Sequence, residues 1–118
     1  MKIKASNNNT YSLSLSVIGG RCRRTVQAVF DTGASISSVP FDIAFDINIQ
    51  CNGTYEEVED ASGVRRHLPK CNMLIEIDGK QLFFEPTIRK GLNVVLIGMD
   101  IISQGTLIIQ KSTLEFIV

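Results

Sequence analysis

The sequence has no Trp, a single His, three Pro and three Cys in 118 residues, and its 12 basic and 12 acidic groups cancel to zero formal charge. Each shortage removes a class of function. With no net charge and a pI near 6.6, the chain lacks the long-range attraction that draws proteins to nucleic acid or anionic membrane, so neither is expected as a partner. No apolar run approaches the ~20 residues of a membrane span, and the polar, Asn-rich residues 1–10 lack the apolar core of about 7–15 residues that marks a signal peptide. Cys22, Cys51 and Cys71 are odd in number and lack paired short spacing, which argues against a disulfide framework and against a zinc or redox motif. Three reduced thiols on a cytoplasmic chain, free or excised from a longer precursor, are the expectation. His67 has no Ser or Cys context for nucleophilic catalysis, and no Gly-rich phosphate loop or metal-spaced cluster is present. No cofactor and no metal are therefore expected, and carboxylates are left as the chemistry-bearing groups.

A chain of this length makes one domain, 1–118, with 1–10 read as a flexible N-terminus. It buries somewhat more than roughly 60% of its unfolded surface, enough for one core but too little for two lobes flanking a cleft. A cleft would need a second subunit. Tyr11, Leu13, Leu15 and Val17 alternate with Ser12, Ser14 and Ser16, the period of a half-buried strand, and Gly19-Gly20 turns the chain into a partner strand over Arg21–Phe30. That strand stops at Asp31-Thr32-Gly33, where Gly permits a sharp turn.

Between Ser35 and Ile49 short apolar stretches are broken by Pro40 and by Asp42, Asp46 and Asn48, a pattern that suits a strand or a short helical turn equally. Thr54–Asp60 and Val64–Leu68 read as a polar hairpin around Ala61-Ser62-Gly63. Met73–Ile77 and Gln81–Phe84 flank Asp78-Gly79, the signature of a type I′ hairpin turn. Val94-Val95-Leu96-Ile97 is a continuous apolar run ending at Gly98, which suggests a strand buried on both faces. One short helix over Met99–Gln104 and two strands around Lys111-Ser112 complete an all-β pattern that favours a closed, barrel-like fold.

Asp31-Thr32-Gly33 alone is ordinary turn chemistry. Some sixty residues later, Leu96-Ile97-Gly98-Met99-Asp100-Ile101-Ile102 supplies a second apolar strand that ends in Gly before a short turn. Together with Met73-Leu74-Ile75-Glu76-Ile77-Asp78-Gly79-Lys80, a hairpin placed after a flap, these segments resemble the retropepsin family of aspartic proteases over about Arg24 to Gly105. Gly98-Met99-Asp100 is closer to the cellular and bacterial retropepsin-like proteins, including the DNA-damage-inducible type, than to the Gly-Arg-Asn of many viral enzymes.

The resemblance implies a retropepsin-like acid protease fold, namely a barrel-like half with a flap hairpin and one short C-terminal helix, acting as a homodimeric endopeptidase on peptide or protein substrates. Asp31 would be the catalytic carboxylate. Two such groups about 3 Å apart cannot both ionise, so they share one proton; one activates water while the other donates to the scissile carbonyl. Only Asp31 has the required context, since Asp60-Ala61-Ser62-Gly63 carries an extra residue, so the second carboxylate would come from a second copy across a two-fold axis. Thr32 would bond across that axis. Gly33, Ala34 and Ser35 would line the cleft, Ala61, Ser62, Gly63 and Val64 would form the flap tip, and Val94 and Leu96 would shape side-chain pockets.

Two departures are plain. Retroviral enzymes carry an acid after the Ala of this turn, paired with the Arg of Gly-Arg-Asn, whereas here Ser35 and Met99 stand at those positions. The flap tip has one Gly where viral flaps have several. A second reading is thus a retropepsin-fold dimerisation or peptide-binding module with little turnover. The other acids have bland readings: Asp100 as a helix-capping or hydrogen-bonding structural residue at a helix start, and Asp42, Asp46, Asp60 and Asp78 as solvated loop or turn acids. Arg21, Arg23 and Arg24 read as a solvated face, and Phe83 and Phe84 as core or interface.

Overall fold

A computed structural model describes residues 1–5, 11–59 and 61–118. Among the described residues, twelve strands and two short helices follow in the order β1 (Lys2–Lys4), β2 (Ser12–Gly19), β3 (Cys22–Phe30), β4 (Ser38–Pro40), α1 (Phe41–Asp46), β5 (Tyr55–Glu59), β6 (Arg65–Pro69), β7 (Met73–Ile77), β8 (Lys80–Phe84), β9 (Thr87–Arg89), β10 (Val95–Ile97), α2 (Met99–Ile102), β11 (Thr106–Gln110) and β12 (Thr113–Ile117). Seven strands form one curled sheet in the order β8-β7-β2-β3-β10-β4-β9; β1-β12-β11 form a second sheet, and the hairpin β5-β6 stands as a third.

The alternation in β2 buries Leu15 and Val17 while Ser12 and Ser14 face solvent, and in β3 it buries Val26, Ala28 and Phe30. Asp78 and Gly79 both take positive φ, 50° and 77°, so the β7–β8 turn has the backbone that Asp-Gly foretells. Val95 and Ile97 of β10 are fully buried, because that strand lies between β3, which it pairs in parallel, and β4, which it pairs antiparallel. Each such side chain contributes about 1.5–3 kcal/mol by leaving water. Phe84 belongs to the core and Phe83 is exposed.

Three features differ from the sequence reading or extend it. Residues 41–46 resolve as a helix that begins after Pro40, with its fixed φ of −60°, and ends where Asn48 takes a φ of 59°; a second helix thus joins the C-terminal one. Lys2–Lys4, read as part of a flexible terminus, pair with β12 instead, with Ile3 opposite Leu114; residues 6–10 lie outside the described residues. The short strands β4 and β9 pair in parallel, Val39 opposite Ile88, and extend the main sheet beyond β10. The Phe30 and Phe116 rings meet edge to face at 5.6 Å, joining the second sheet to the strand that leads into Asp31.

Candidate active site

Asp31 is placed by the last rung of the main sheet. Phe30 lies opposite Ile97, and the Asp31 amide donates to the Ile97 carbonyl at 2.9 Å. The chain then turns sharply: the Gly33 amide donates to Asp31 Oδ1 at 3.0 Å and the Ala34 amide to the Asp31 carbonyl at 3.2 Å. A Cβ on Gly33 would lie 3.3 Å from that same Oδ1, tighter than side chains ordinarily pack, so Gly keeps the carboxylate seated. Asp31 and Ala34 are half-buried, and Thr32, Gly33 and Ser35 are exposed.

After this loop the chain returns as β4 on the far side of β10, so β10 is threaded between the strands before and after the Asp31 turn. Close passage of β10 under the loop requires Gly98. A Cβ there would stand 2.8 Å from the Ala34 carbonyl oxygen and the Ile36 carbonyl carbon, both backbone atoms with nowhere to move. Beyond Gly98 the Met99 amide donates to the Ala34 carbonyl at 2.8 Å and the Asp100 amide to the Ser35 carbonyl at 3.2 Å.

Ser37, wholly buried, locks the junction. Its hydroxyl donates to Asp100 Oδ1 at 2.7 Å and accepts from the Gly98 amide at 2.8 Å. The Ser37 amide reaches the same carboxylate oxygen at 3.0 Å, as does the Ile101 amide. One carboxylate oxygen thereby gathers three donors, a charge-assisted knot that fixes the Asp31 loop against α2. Asp100 is structural, as its place at a helix start suggested. Ser37 escaped sequence reading because its partner lies 63 residues away and nothing local distinguishes it from Ser35 and Ser38.

The flap-like hairpin β5–β6 pairs Tyr55 with Pro69 and Glu59 with Arg65. At its turn Ala61, Ser62, Gly63 and Val64 are all exposed, and Gly63 has φ of 83°. Asp60 lies outside the described residues. A polar lattice ties the hairpin base to the main sheet. Asn52 Nδ2 donates to Glu85 Oε2 at 2.6 Å, Thr54 Oγ1 donates to the same oxygen at 2.8 Å, and Lys70 Nζ stands 3.5 Å from Glu85 Oε1. The Thr54 and Asn52 hydrogen bonds, then Lys70, hold the Glu85 carboxyl below its ordinary value. Nearby, burial first, then Cys51 and Glu85, pushes the Cys71 thiol up to about 12, which makes it an inert packing group. Cys22 and Cys51 are exposed and free.

Val94 and Leu96 are half-buried, one just before β10 and one within it. A groove of about 630 Å³ opens between the flap-like hairpin, α1 and β9, walled by Phe41, Val58, Val64, Leu68, Pro69 and Ile88. Of the residues picked from sequence, it takes in Val64; the Asp31–Ser35 turn does not line it. Sequence reasoning missed this groove, since its walls come from four separate segments. Among the described residues, no group of three or more His, Cys, Asp or Glu stands close enough to hold a metal ion, and no helix is long and apolar enough to cross a membrane.

No protein-family model matches the sequence, and no curated protein does. Solved structures do match. A retropepsin-like aspartic protease from Rickettsia conorii superposes with a TM-score of 0.69 at 14% identity, covering 97% of this chain and 86% of that one. EIAV protease complexed with the inhibitor HBY-793 gives 0.67 at 12% identity over 86% of this chain and 93% of that one. The retroviral protease-like domain of Ddi1 from Leishmania major gives 0.54 at 16% identity over 90% and 94%. By these superpositions, the chain has the fold of the retropepsin-like aspartic proteases.

Proposed function

We propose that the protein is a homodimeric aspartic endopeptidase whose catalytic pair is Asp31 from each of two copies. The observation that carries the reading is the Asp31 turn itself. A half-buried Asp sits at the end of a core strand, its amide donating to the Ile97 carbonyl and its carboxylate accepting from the Gly33 amide. Peptide hydrolysis by this route needs two carboxylates sharing one proton, one to take a proton from water and one to give a proton to the scissile carbonyl. Each chain offers one carboxylate in that setting, so a two-fold partner completes the pair.

The second sheet supports such a partner. Among the described residues β11 pairs with β12 on one side alone, and Ile108 and Ile109 are 37% and 51% exposed along it. An apolar strand with a free edge invites antiparallel pairing with its own copy. Extended substrate would run between the paired Asp31 turns and the flap, bound through main-chain hydrogen bonds with alternate side chains entering pockets on opposite sides. Thr32, Gly33, Ala34 and Ser35 would border it below, and Ala61–Val64 above. Val94 and Leu96 would flank it.

Ser35 and Met99 support a second reading, a peptide-binding module with little turnover, because both side chains are exposed and unable to form the acid–Arg pair of the viral enzymes. The test is mass-spectrometric detection of cleavage in a diverse peptide library from acid to neutral pH, comparing the native chain with Asp31→Asn at equal dimer content. Cleavage lost on substitution, and falling more steeply than linearly on dilution, is the expected result. Two dimeric proteins that both leave the library intact would favour the binding module.

A further inference from the structure

We infer that the groove between the flap-like hairpin and β9 selects an acidic side chain of the substrate peptide, a specificity that rests on the peptidase reading above. Its walls are apolar, but its charges are one-sided: among the described residues Arg66, Arg89 and Lys90 line it against the single carboxylate of Glu59. Elsewhere Arg23, Arg24 and Arg65 are each neutralised, by Glu76, Asp46 and Glu57. Arg66, Arg89 and Lys90 have no carboxylate partner among the described residues. Lys90 Nζ instead lies 5.6 Å from the centroid of the Phe41 ring, over the groove wall.

Arg89 adds an independent sign. Its Nε is buried and finds no hydrogen-bond partner among the described residues, whereas buried donors are almost always satisfied. A planar guanidinium that is short of an acceptor, in a wall shared with two further unpaired cations, is a receptor for a carboxylate. An Asp or Glu side chain supplies that acceptor, and the surrounding apolar surface strengthens the contact by excluding water.

Sheet order gives the reach. From β3 the strands run β10, β4, β9, about 14 Å across, and the register sets Arg89 level with Gln27, four residues or ~13 Å along the strands from Asp31, so the two lie ~19 Å apart. Extended peptide rises about 3.3 Å per residue and the side chains span part of the gap, so the selected acid lies roughly four to six residues from the scissile bond.

The test is fluorescence anisotropy on the full chain carrying Asp31→Asn, which separates binding from cleavage. The probes are fluorescein-labelled twelve-residue peptides of alternating Val and Ser, with one Glu or one Gln placed four, five or six residues from the central bond. At one of these positions the Glu peptide should bind about tenfold more tightly than its Gln twin, and the advantage should shrink to within about twofold on adding Arg66→Gln with Arg89→Met. Arg66→Gln with Lys90→Gln, both exposed, serves if the Arg89 change prevents folding.

Arg89→Met should leave the thermal midpoint unchanged or raise it, because it removes an unpaired buried donor; a purely structural arginine would lower it. Equal affinity for Glu and Gln peptides at all three positions, including no measurable binding of either, overturns the inference, as does a Glu preference that survives the double substitutions. A native chain that cuts nothing while Asp31→Asn keeps the Glu preference would sink the peptidase reading and sustain the acidic-peptide site. Cleavage with no acidic preference would do the reverse.

Discussion

Replacing Ser37 by Ala removes one oxygen atom from the junction under the Asp31 turn. That hydroxyl is both the acceptor for the Gly98 amide, at 2.8 Å, and a donor to Asp100, at 2.7 Å. Gly98 is buried, so its amide is left without a partner, a penalty of about 1–3 kcal/mol. The lost bond to a carboxylate adds a further increment, although Asp100 Oδ1 retains the Ser37 and Ile101 amides. Together the loss should be about 2–4 kcal/mol, a large share of the roughly 5–15 kcal/mol of a typical domain. Asp100→Asn keeps an oxygen for the same donors and forfeits only the charge, so about 1 kcal/mol is expected. The assay is urea unfolding at fixed protein concentration for Ser37→Ala, Asp100→Ala and the double variant. The two positions share one hydrogen bond, so the double-mutant cycle should return a coupling of about 1 kcal/mol or more. A Ser37→Ala loss below about 0.5 kcal/mol, or a coupling near zero, would refute the claim that this knot holds the loop.

Other consequences follow from the same geometry. The Glu85 carboxyl is held below its ordinary value near 4.5 by Thr54, Asn52 and Lys70. Its contribution to anchoring the base of the β5–β6 hairpin is therefore complete above that value and lost as pH falls through the lower folded one; hydrogen exchange at the Lys70 amide should quicken there, and Glu85→Gln should abolish the pH dependence. Cys71, raised to about 12 and buried, should resist iodoacetamide at pH 8 while Cys22 and Cys51 react, so two adducts in native protein and three in urea are expected by intact mass. Ile109→Lys on the free β11 edge places a charge where a second copy would pair; sedimentation should show a weaker dimer, with unfolding of the monomer little changed, and an unchanged dimer would move the interface elsewhere.

Elements with an unbroken local pattern were legible in the sequence. The Ser-interleaved β2, the β7–β8 pair around Asp78-Gly79 and the apolar β10 each declare their period and their turns. The Asp31 turn is legible for the same reason, as an acid and a glycine closing an apolar strand. The strands β1, β4 and β9 have three residues each, too few to show a period, and Pro40 in β4 reads as a breaker until its edge is seen paired with β9. Helix α1 was ambiguous because Phe41-Asp42-Ile43-Ala44-Phe45-Asp46 alternates polarity in a way that suits a strand and a six-residue helix alike. The Ser37–Asp100 knot and the cationic groove depend on contacts between distant segments, and no local signal carries those.

The exposed Ser35 and Met99 show which part of the site is free to vary. A side-chain ion pair between these two positions would tie the Asp31 loop to the start of α2, and the same two loops are tied here by main-chain groups. The Met99 amide reaches Ala34 and the Asp100 amide reaches Ser35, bonds that any side chains at 35 and 99 would leave intact. The steric requirement falls instead on Gly98, where a single added carbon meets two backbone atoms at 2.8 Å. Loss of the pair therefore leaves the position of Asp31 untouched. It changes the polarity of the surface beside the turn and leaves the carboxylate in place.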